Sequence, residues 1–357
     1  MTRWASQQES SLQESVSAFQ LCDSGLASLR EFSTRVGSNP LLVQASSGNT
    51  SIKAEGVLWI KASGKWLQDA EREQIFVPLE LEAVRACLER NIGLPLNCAS
   101  ALSPSIETFL HAVLPQRVVV HVHSINTIAW AVRHDAGRQL ALRLSGLRWC
   151  LVPYASSGAP LAREIGKAMY ADPRVNVFVL ANHGVVVCGD DCEAVQAILC
   201  EVERRLDIEP RKTPEIDRER LAQLAEATQW SLPDSDDLHA LGTDPVSLRI
   251  LTGGVLYPCQ ALFLGRHAPV VPSSVPVSNM EHWIDKQLGV QSFVILEGSG
   301  VLVSASIGRA ELATLGGLVH VTQRLGSRAP IRYLPESDVN DVLTADGLHY
   351  RDSAEHP

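Results

Sequence analysis

No apolar run in the 357-residue chain approaches the ~18 residues that cross a bilayer as a helix. The opening stretch MTRWASQQESSLQESVSAFQ also lacks the apolar segment of a secretory signal. Both features lead to the expectation of a cytoplasmic protein with no membrane partner. Positive charge is in deficit: Lys and Arg total 31 against 40 acidic residues, a formal net charge of −9. That balance disfavours a broad nucleic-acid footprint and leaves room only for local basic spots that hold a small anion. Any CxxC pair is absent from the eight cysteines, Cys22, Cys87, Cys98, Cys150, Cys188, Cys192, Cys200 and Cys259. Reduced core thiols are expected, not disulfides or a zinc knuckle.

What is present is a globular profile, 45% hydrophobic and 20% charged. The length predicts two domains. Residues 11–36 read as a helix. LLVQASSGNTSIKA reads as two strands around a Ser-Gly-Asn turn, and VLWIKASG as another strand. LELEAVRACLER has helical periodicity. SPSIETFLHAVLP reads as a short helix with Ser103 as its cap and Pro104 in its first turn. RVVVHVHS is a strand, NTIAWAVRH a helix, LRWCLVPY a strand and LAREIGKAMYA a helix. VNVFVLANHGVVVCG reads as strand, tight turn and strand, and CEAVQAILCEVERRL as a helix.

The charged, proline-bearing stretch DIEPRKTPEIDRER marks a break. The expected organisation is a domain over 1–209, a linker over 210–219 and a smaller α/β domain over 220–357. Two segments echo each other. VFVLANHGVVV (177–187), shifted by 116 residues, meets FVILEGSGVLV (293–303), and the helices that follow also align. Less strongly, LPQRVVVHVH meets YPCQALFLGRH. A degenerate repeat that has lost its imidazoles is one reading. The other is a chance likeness between strand–turn–strand–helix units.

The chemistry centres on RVVVHVHS. Side chains at i and i+2 on a strand share a face, so His121 and His123 point the same way. Such a pair offers two ring nitrogens to one cation. ANHGVVV supplies a third candidate, His183, beside Gly184 where the backbone turns sharply. Three neutral imidazoles suit a catalytic Zn²⁺ site, and Mn²⁺, Fe²⁺ or Co²⁺ bind the same donors. Taken singly, each histidine also fits an ordinary core role. Glu107, just before this strand, is a candidate metal ligand or general base, with a solvated helix charge as its alternative.

SGNTSIK, ASGK, PSIETFLH, HVHS, PYASSG and NHGVVVCG occur in an order and spacing that resembles the class II aldolase/adducin family over about residues 15–206. Fuculose- and rhamnulose-phosphate aldolases and ribulose-phosphate 4-epimerases belong to that family. The resemblance implies that His121, His123 and His183 hold the metal and that Glu107 is the acid/base. It implies that Gly48 and Asn49, Ser63 and Gly64, and Ser105 bind substrate phosphate. Tyr154 and Gly158 match a segment with a structural role. Backbone N–H nests at such glycine turns are suited to phosphate, although the same residues serve ordinary β-turns.

The implied fold is α/β: a three-layer domain with a mainly antiparallel central sheet flanked by helices, plus the smaller C-terminal α/β domain. The implied activity is that of a divalent-metal-dependent aldolase-type lyase, acting on a sugar or sugar phosphate through a metal-stabilised enediolate. An epimerase, a decarboxylase and a non-catalytic adducin-like assembly protein are the alternatives. A homo-oligomer, tetramer or dimer, is also implied. One departure bears on the substrate. Ile106 stands where phosphate-binding members commonly carry a second serine. A mobile tyrosine that the family often uses has no evident counterpart in this chain.

Overall fold

The computed structural model describes residues 25–94 and 102–355. Cys22, Cys98 and the first part of the helix expected over 11–36 lie outside the described residues. That helix is seen over 25–37.

The first sheet is seven-stranded, in the order β3-β2-β1-β4-β7-β6-β5. Its strands are β1 (Asn49–Ala54), β2 (Val57–Lys61), β3 (Phe76–Glu80), β4 (Val118–Val122), β5 (Trp149–Val152), β6 (Val177–Leu180) and β7 (Gly184–Gly189). Only β5 and β6 run parallel; the other neighbours are antiparallel. β4 lies at the centre, which accounts for its β-branched residues, interrupted by the buried His121: a central strand is covered on both faces. Val118, Val120 and Val122 point to the layer made by helices 25–37 and Cys192–Leu206. Val119 points the other way, toward helices Thr108–Val113 and Ala159–Ala171. The three-layer, mainly antiparallel architecture is thus present.

A second, smaller sheet lies in the C-terminal region. It contains β8 (Val270–Val271), β9 (Phe293–Leu296) and β10 (Gly300–Val303), in the order β10-β9-β8. The echo in FVILEGSGVLV coincides with real elements: β9 and β10 begin 116 residues after β6 and β7, and helix Arg309–Arg324 follows as Cys192–Leu206 does. The correspondence extends upstream. Helices Ile125–Ala131 and Ala136–Arg143, β5, and helix Ala159–Ala171 precede β6. Helices Pro245–Thr252 and Pro258–Leu264, β8, and helix Met280–Gln287 precede β9. In both units the first strand pairs parallel to the second, and the second antiparallel to the third.

Three local expectations are corrected. The overlay of LPQRVVVHVH on YPCQALFLGRH does not hold: the first contains β4, whereas Pro258–Leu264 is helical, with Pro258 in the first turn and Gly265 at its end. LLVQA is not a strand, because the chain turns there and pairing begins at Asn49. Ser103 does not cap a helix. Its carbonyl accepts from Ser63 N–H, and Ser105 N–H donates to the Lys61 carbonyl, so 103–105 run beside the end of β2 and the helix starts at Thr108. Two glycines of the C-terminal region sit in tightly packed places. Gly253 lies under the Tyr333 ring and Gly300 against His239.

The two sheets share packed surroundings. Ile125, Ile128 and Val132 from the first unit form one hydrophobic cluster with Leu241, Leu318 and Leu325 from the second. Among the described residues no helix is long and apolar enough to cross a membrane. The six described cysteines are free thiols.

Candidate functional site

β4 places His121 on the same face as Val119, opposite Val120, and His123 follows just past the strand's end. His183 lies in the tight β6–β7 turn, closed by the pair Leu180 and Gly184. Gly184 is needed because a Cβ there would meet the Val122 carbonyl at 2.4 Å. That close approach brings the turn against β4. The three rings meet edge to face, with centroids 4.8 to 4.9 Å apart. Their ligand atoms all lie within 4.8 Å of one another, and all three residues are buried.

The outer nitrogens are held. His121 Nδ1 lies 3.1 Å from the Val185 carbonyl, to which its N–H donates. This leaves His121 Nε2, 3.1 Å from His123 Nε2, to face the cluster. His123 Nδ1 lies 3.5 Å from Cys259 Sγ. Burial, then the neighbouring imidazoles and Lys61, drive His123 well below the ordinary histidine range. Burial likewise brings His183 down to about 4, with Glu107 opposing. Neutral rings of this kind present lone pairs, which is the form that binds a metal. The imidazoles of His121, His123 and His183 beside a carboxylate form a donor set that fits a borderline divalent cation.

Glu107 sits at the start of helix Thr108–Val113, in the N-cap position. Its Oε2 lies 3.4 Å from His121 Nε2 and its Oε1 3.5 Å from His183 Nε2. Asn49 Nδ2 donates to Oε2 at 2.7 Å, and Ser157 Oγ to Oε1 at 3.3 Å. Burial opposes ionisation of this carboxyl. The two imidazoles and the hydrogen bonds from Asn49 and Ser157 outweigh it and hold the pKa below its ordinary value. A solvated helix charge is therefore not what Glu107 is; the residue is 5% exposed.

Asn49 reaches Glu107 because β1 and β4 pair with Asn49 directly opposite His121. Gly48 precedes it with φ 68°, where a Cβ would meet the His121 carbonyl. The Asn49 amide oxygen, Oδ1, faces His111 Nε2, and His111 Nδ1 lies 2.7 Å from Ser51 Oγ. Ser51 as donor and His111 Nε2–H as donor to Asn49 is the arrangement that turns the Asn49 amide NH₂ toward the carboxylate. Sequence reasoning missed His111. Its signal was the i, i+4 spacing from Glu107.

A cavity of about 500 Å³ opens beside these groups. Gly48, Asn49, Ser63, Ser105, Glu107, His123 and His183 line it. His121 is fully buried behind them. Gly64 is not among the lining residues and packs against Ser353. Ile106 lines the cavity with an exposed side chain. The C-terminal region supplies the facing wall, which includes Cys259, Leu262 and Tyr350. The Tyr350 hydroxyl lies 2.8 Å from Ser46 Oγ. Burial, above all, raises the Tyr350 and Cys259 pKa values, the thiol to about 12. Lys61 is fully buried at the cavity, where Nζ donates to the Ser46 and Lys65 carbonyls at 2.7 and 2.6 Å. Burial lowers its pKa to about 7, with Glu107 opposing.

Residues 33–209 match the family model for the Class II Aldolase and Adducin N-terminal domain. A Bacillus subtilis (strain 168) protein named uncharacterized oxidoreductase YuxG is 30% identical over 190 residues. That match takes in 47% of this chain and 27% of YuxG, so the chain spans about a quarter of that relative's length. Among solved structures, the N-terminal Class II Aldolase domain of a conserved protein from Thermoplasma acidophilum is 26% identical, with a TM-score of 0.43. It covers 50% of this chain and 90% of its own. L-fuculose-1-phosphate aldolase from Thermus thermophilus is 17% identical with a TM-score of 0.37, covering 51% of this chain and 91% of its own.

Proposed function

Through residues 33–209 the chain belongs to the class II aldolase and adducin family, and on that basis we propose that it is a divalent-metal-dependent lyase. It cleaves a carbon–carbon bond near the carbonyl of a sugar or sugar phosphate. The observation that carries this reading is the Glu107 carboxylate held between His121 and His183 at 3.4 and 3.5 Å, on the wall of a substrate-sized cavity.

His121, His123 and His183 would hold the cation, Zn²⁺ by preference, with Mn²⁺, Fe²⁺ or Co²⁺ as alternatives. When bound, it supplies positive charge where negative charge develops on substrate oxygen. The chain's own residues do the rest. Glu107 is ionised before substrate arrives, because Asn49 and Ser157 stabilise its charged form. It therefore acts first as a base, taking a hydroxyl proton at an Oε atom, and then returns a proton to the carbon fragment that leaves. Gly48, Asn49, Ser63 and Ser105, which line the cavity, supply polar contacts to the substrate. Ile106 brings an apolar surface there in place of a second hydroxyl. The division at 1–209, 210–219 and 220–357 belongs to the same proposal, with the second unit walling the cavity.

The test has two parts. Metal content of purified protein is expected to be near one divalent ion per chain. Incubation with a panel of ketose phosphates and ketoses is expected to release an aldehyde from at least one. Protein that binds no divalent ion and turns over nothing in the panel would overturn the proposal. An epimer or CO₂ as the only product would move the activity to another member of the family's chemistry.

A further inference from the structure

The C-terminal region reaches the imidazole cluster at the turn that carries His183. Between the closing pair Leu180 and Gly184 stand only Ala181, Asn182 and His183. Asn182 has φ 53°, a left-handed conformation that Asn tolerates better than most residues. The partners of its side-chain amide come from far along the chain. Nδ2 donates to the Leu256 carbonyl at 2.8 Å and to the Arg332 carbonyl at 2.7 Å. Oδ1 accepts from Arg332 Nε at 2.8 Å. Arg332 is itself fixed: Nη2 donates to the Ala131 carbonyl at 3.0 Å, and its backbone N–H to the Val132 carbonyl at 2.7 Å. The Asn182 backbone N–H shares the Ala131 carbonyl with that guanidinium.

We propose that Arg332 is a positioning residue for the three-imidazole site, acting through Asn182 on the orientation of His183. The inference rests on the reading of His121, His123 and His183 as metal ligands. In a three-residue turn, the direction of the third side chain follows from the backbone angles of the second. Asn182 is locked in its angles by groups some 150 positions away in the chain. The two-pronged contact needs a planar guanidinium, since one nitrogen serves Asn182 and another Ala131. The same region touches a second imidazole, through Cys259 Sγ at 3.5 Å from His123 Nδ1. The C-terminal unit thus aligns ligands that the first unit contributes, in the manner of outer-shell partners of metal-bound histidine.

The experiment uses the full chain, stripped of metal and titrated with Co²⁺. Arg332→Ala is expected to weaken Co²⁺ binding by about 10- to 100-fold, with an unchanged far-ultraviolet circular dichroism spectrum. Asn182→Gly keeps the left-handed angle accessible and removes the side-chain contacts, so it is expected to give the same loss. The double variant is expected to lose no more than either single one. Arg332→Lys is expected not to restore binding. Nitrogen-15 spectra of the metal-free variants are expected to show a moved or broadened His183 ring. Wild-type Co²⁺ affinity together with unmoved ring signals in Asn182→Gly would overturn the proposal, even where Arg332→Ala fails to fold. Wild-type protein that takes up no Co²⁺ defeats the metal-site reading instead. The ring signals then still decide whether Arg332 orients His183.

Discussion

Asn49 Nδ2 donates to Glu107 Oε2 at 2.7 Å, across the junction between β1 and the helix that follows residue 107. This contact favours the carboxylate over the carboxylic acid, and His111 on the other side of the amide prevents it from flipping. Asn49→Ala is expected to raise the Glu107 pKa toward the ordinary range or above, since burial then acts with less opposition. The acid limb of the pH–rate profile should move to higher pH, and turnover at neutral pH should fall by about 10-fold or more. An acid limb that stays in place would remove Asn49 from this role.

Glu107→Gln separates proton transfer from cation binding. The amide has nearly the shape of the carboxylate but cannot accept a substrate proton, so turnover is expected to fall by roughly 10² to 10⁴. Metal content should stay near the wild-type level, because the imidazoles remain. Activity equal to wild type would contradict the assignment of the base.

His121→Ala, His123→Ala and His183→Ala are each expected to remove both bound metal and turnover. Their readouts are metal analysis after dialysis and direct titration with Co²⁺. His121→Ala carries an added cost, because His121 fills a fully buried position on the central strand. Its loss leaves a void next to the ionised Glu107, so the melting temperature should drop more than for His183→Ala. Retention of near-stoichiometric metal in any two of the three would dissolve the proposed ligand set.

Much of this site was legible because its first half is local. His121 and His123 stand two apart in a β-branched run, so a shared face followed from strand geometry alone. His183 was marked by the glycine after it, whose lack of Cβ proves necessary for the approach to β4. The FVILEGSGVLV echo was readable for the same reason: β-branched runs around a glycine turn keep their meaning in either copy. The overlay of LPQRVVVHVH on YPCQALFLGRH misled, since a short apolar run does not distinguish strand from helix, and Pro258 suits a first helical turn. Arg332, Cys259 and Tyr350 left no trace at all. Each reaches the site across more than a hundred residues, and no periodicity in one segment encodes a partner in another.

Lys61 gives a pH dependence of stability with a definite sign. Its amine titrates near 10.5 when unfolded and at about 7 in the folded protein, because of burial. Above pH 7, then, the unfolded chain binds a proton that the folded one does not. Stability contributed by this group therefore rises with pH, by at most about 1.4 kcal/mol per pH unit. Lys53, also lowered to about 7 by burial, adds a second such contribution. Between roughly pH 7 and 8, below the pKa of about 8.5 of thiols in the unfolded chain, denaturant unfolding should show this rise. Lys61→Met should roughly halve the slope. A slope unchanged in that variant would place the Lys61 amine in a solvated, ordinary state.

Removal of the chain beyond residue 212 tests whether the first sheet and its helices stand alone. Ile125, Ile128 and Val132 are essentially inaccessible, and their cluster is completed by Leu241, Leu318 and Leu325 from the second unit. Exposing a large aliphatic side chain costs about 1.5–3 kcal/mol, against a net stability of roughly 5–15 kcal/mol for a typical domain. Three such exposures use up much of that margin. The truncation also takes away Arg332 and Leu256, the partners of the Asn182 amide, and Cys259 beside His123. The fragment is expected to be poorly soluble or to bind a hydrophobic dye, and to take up Co²⁺ far more weakly than the full chain. Solubility on expression, cooperative denaturant unfolding and Co²⁺ titration measure this together. A soluble fragment with cooperative unfolding and wild-type Co²⁺ affinity would make the second unit dispensable, because its contacts at Asn182, His123 and Ser46 would then set nothing at the site.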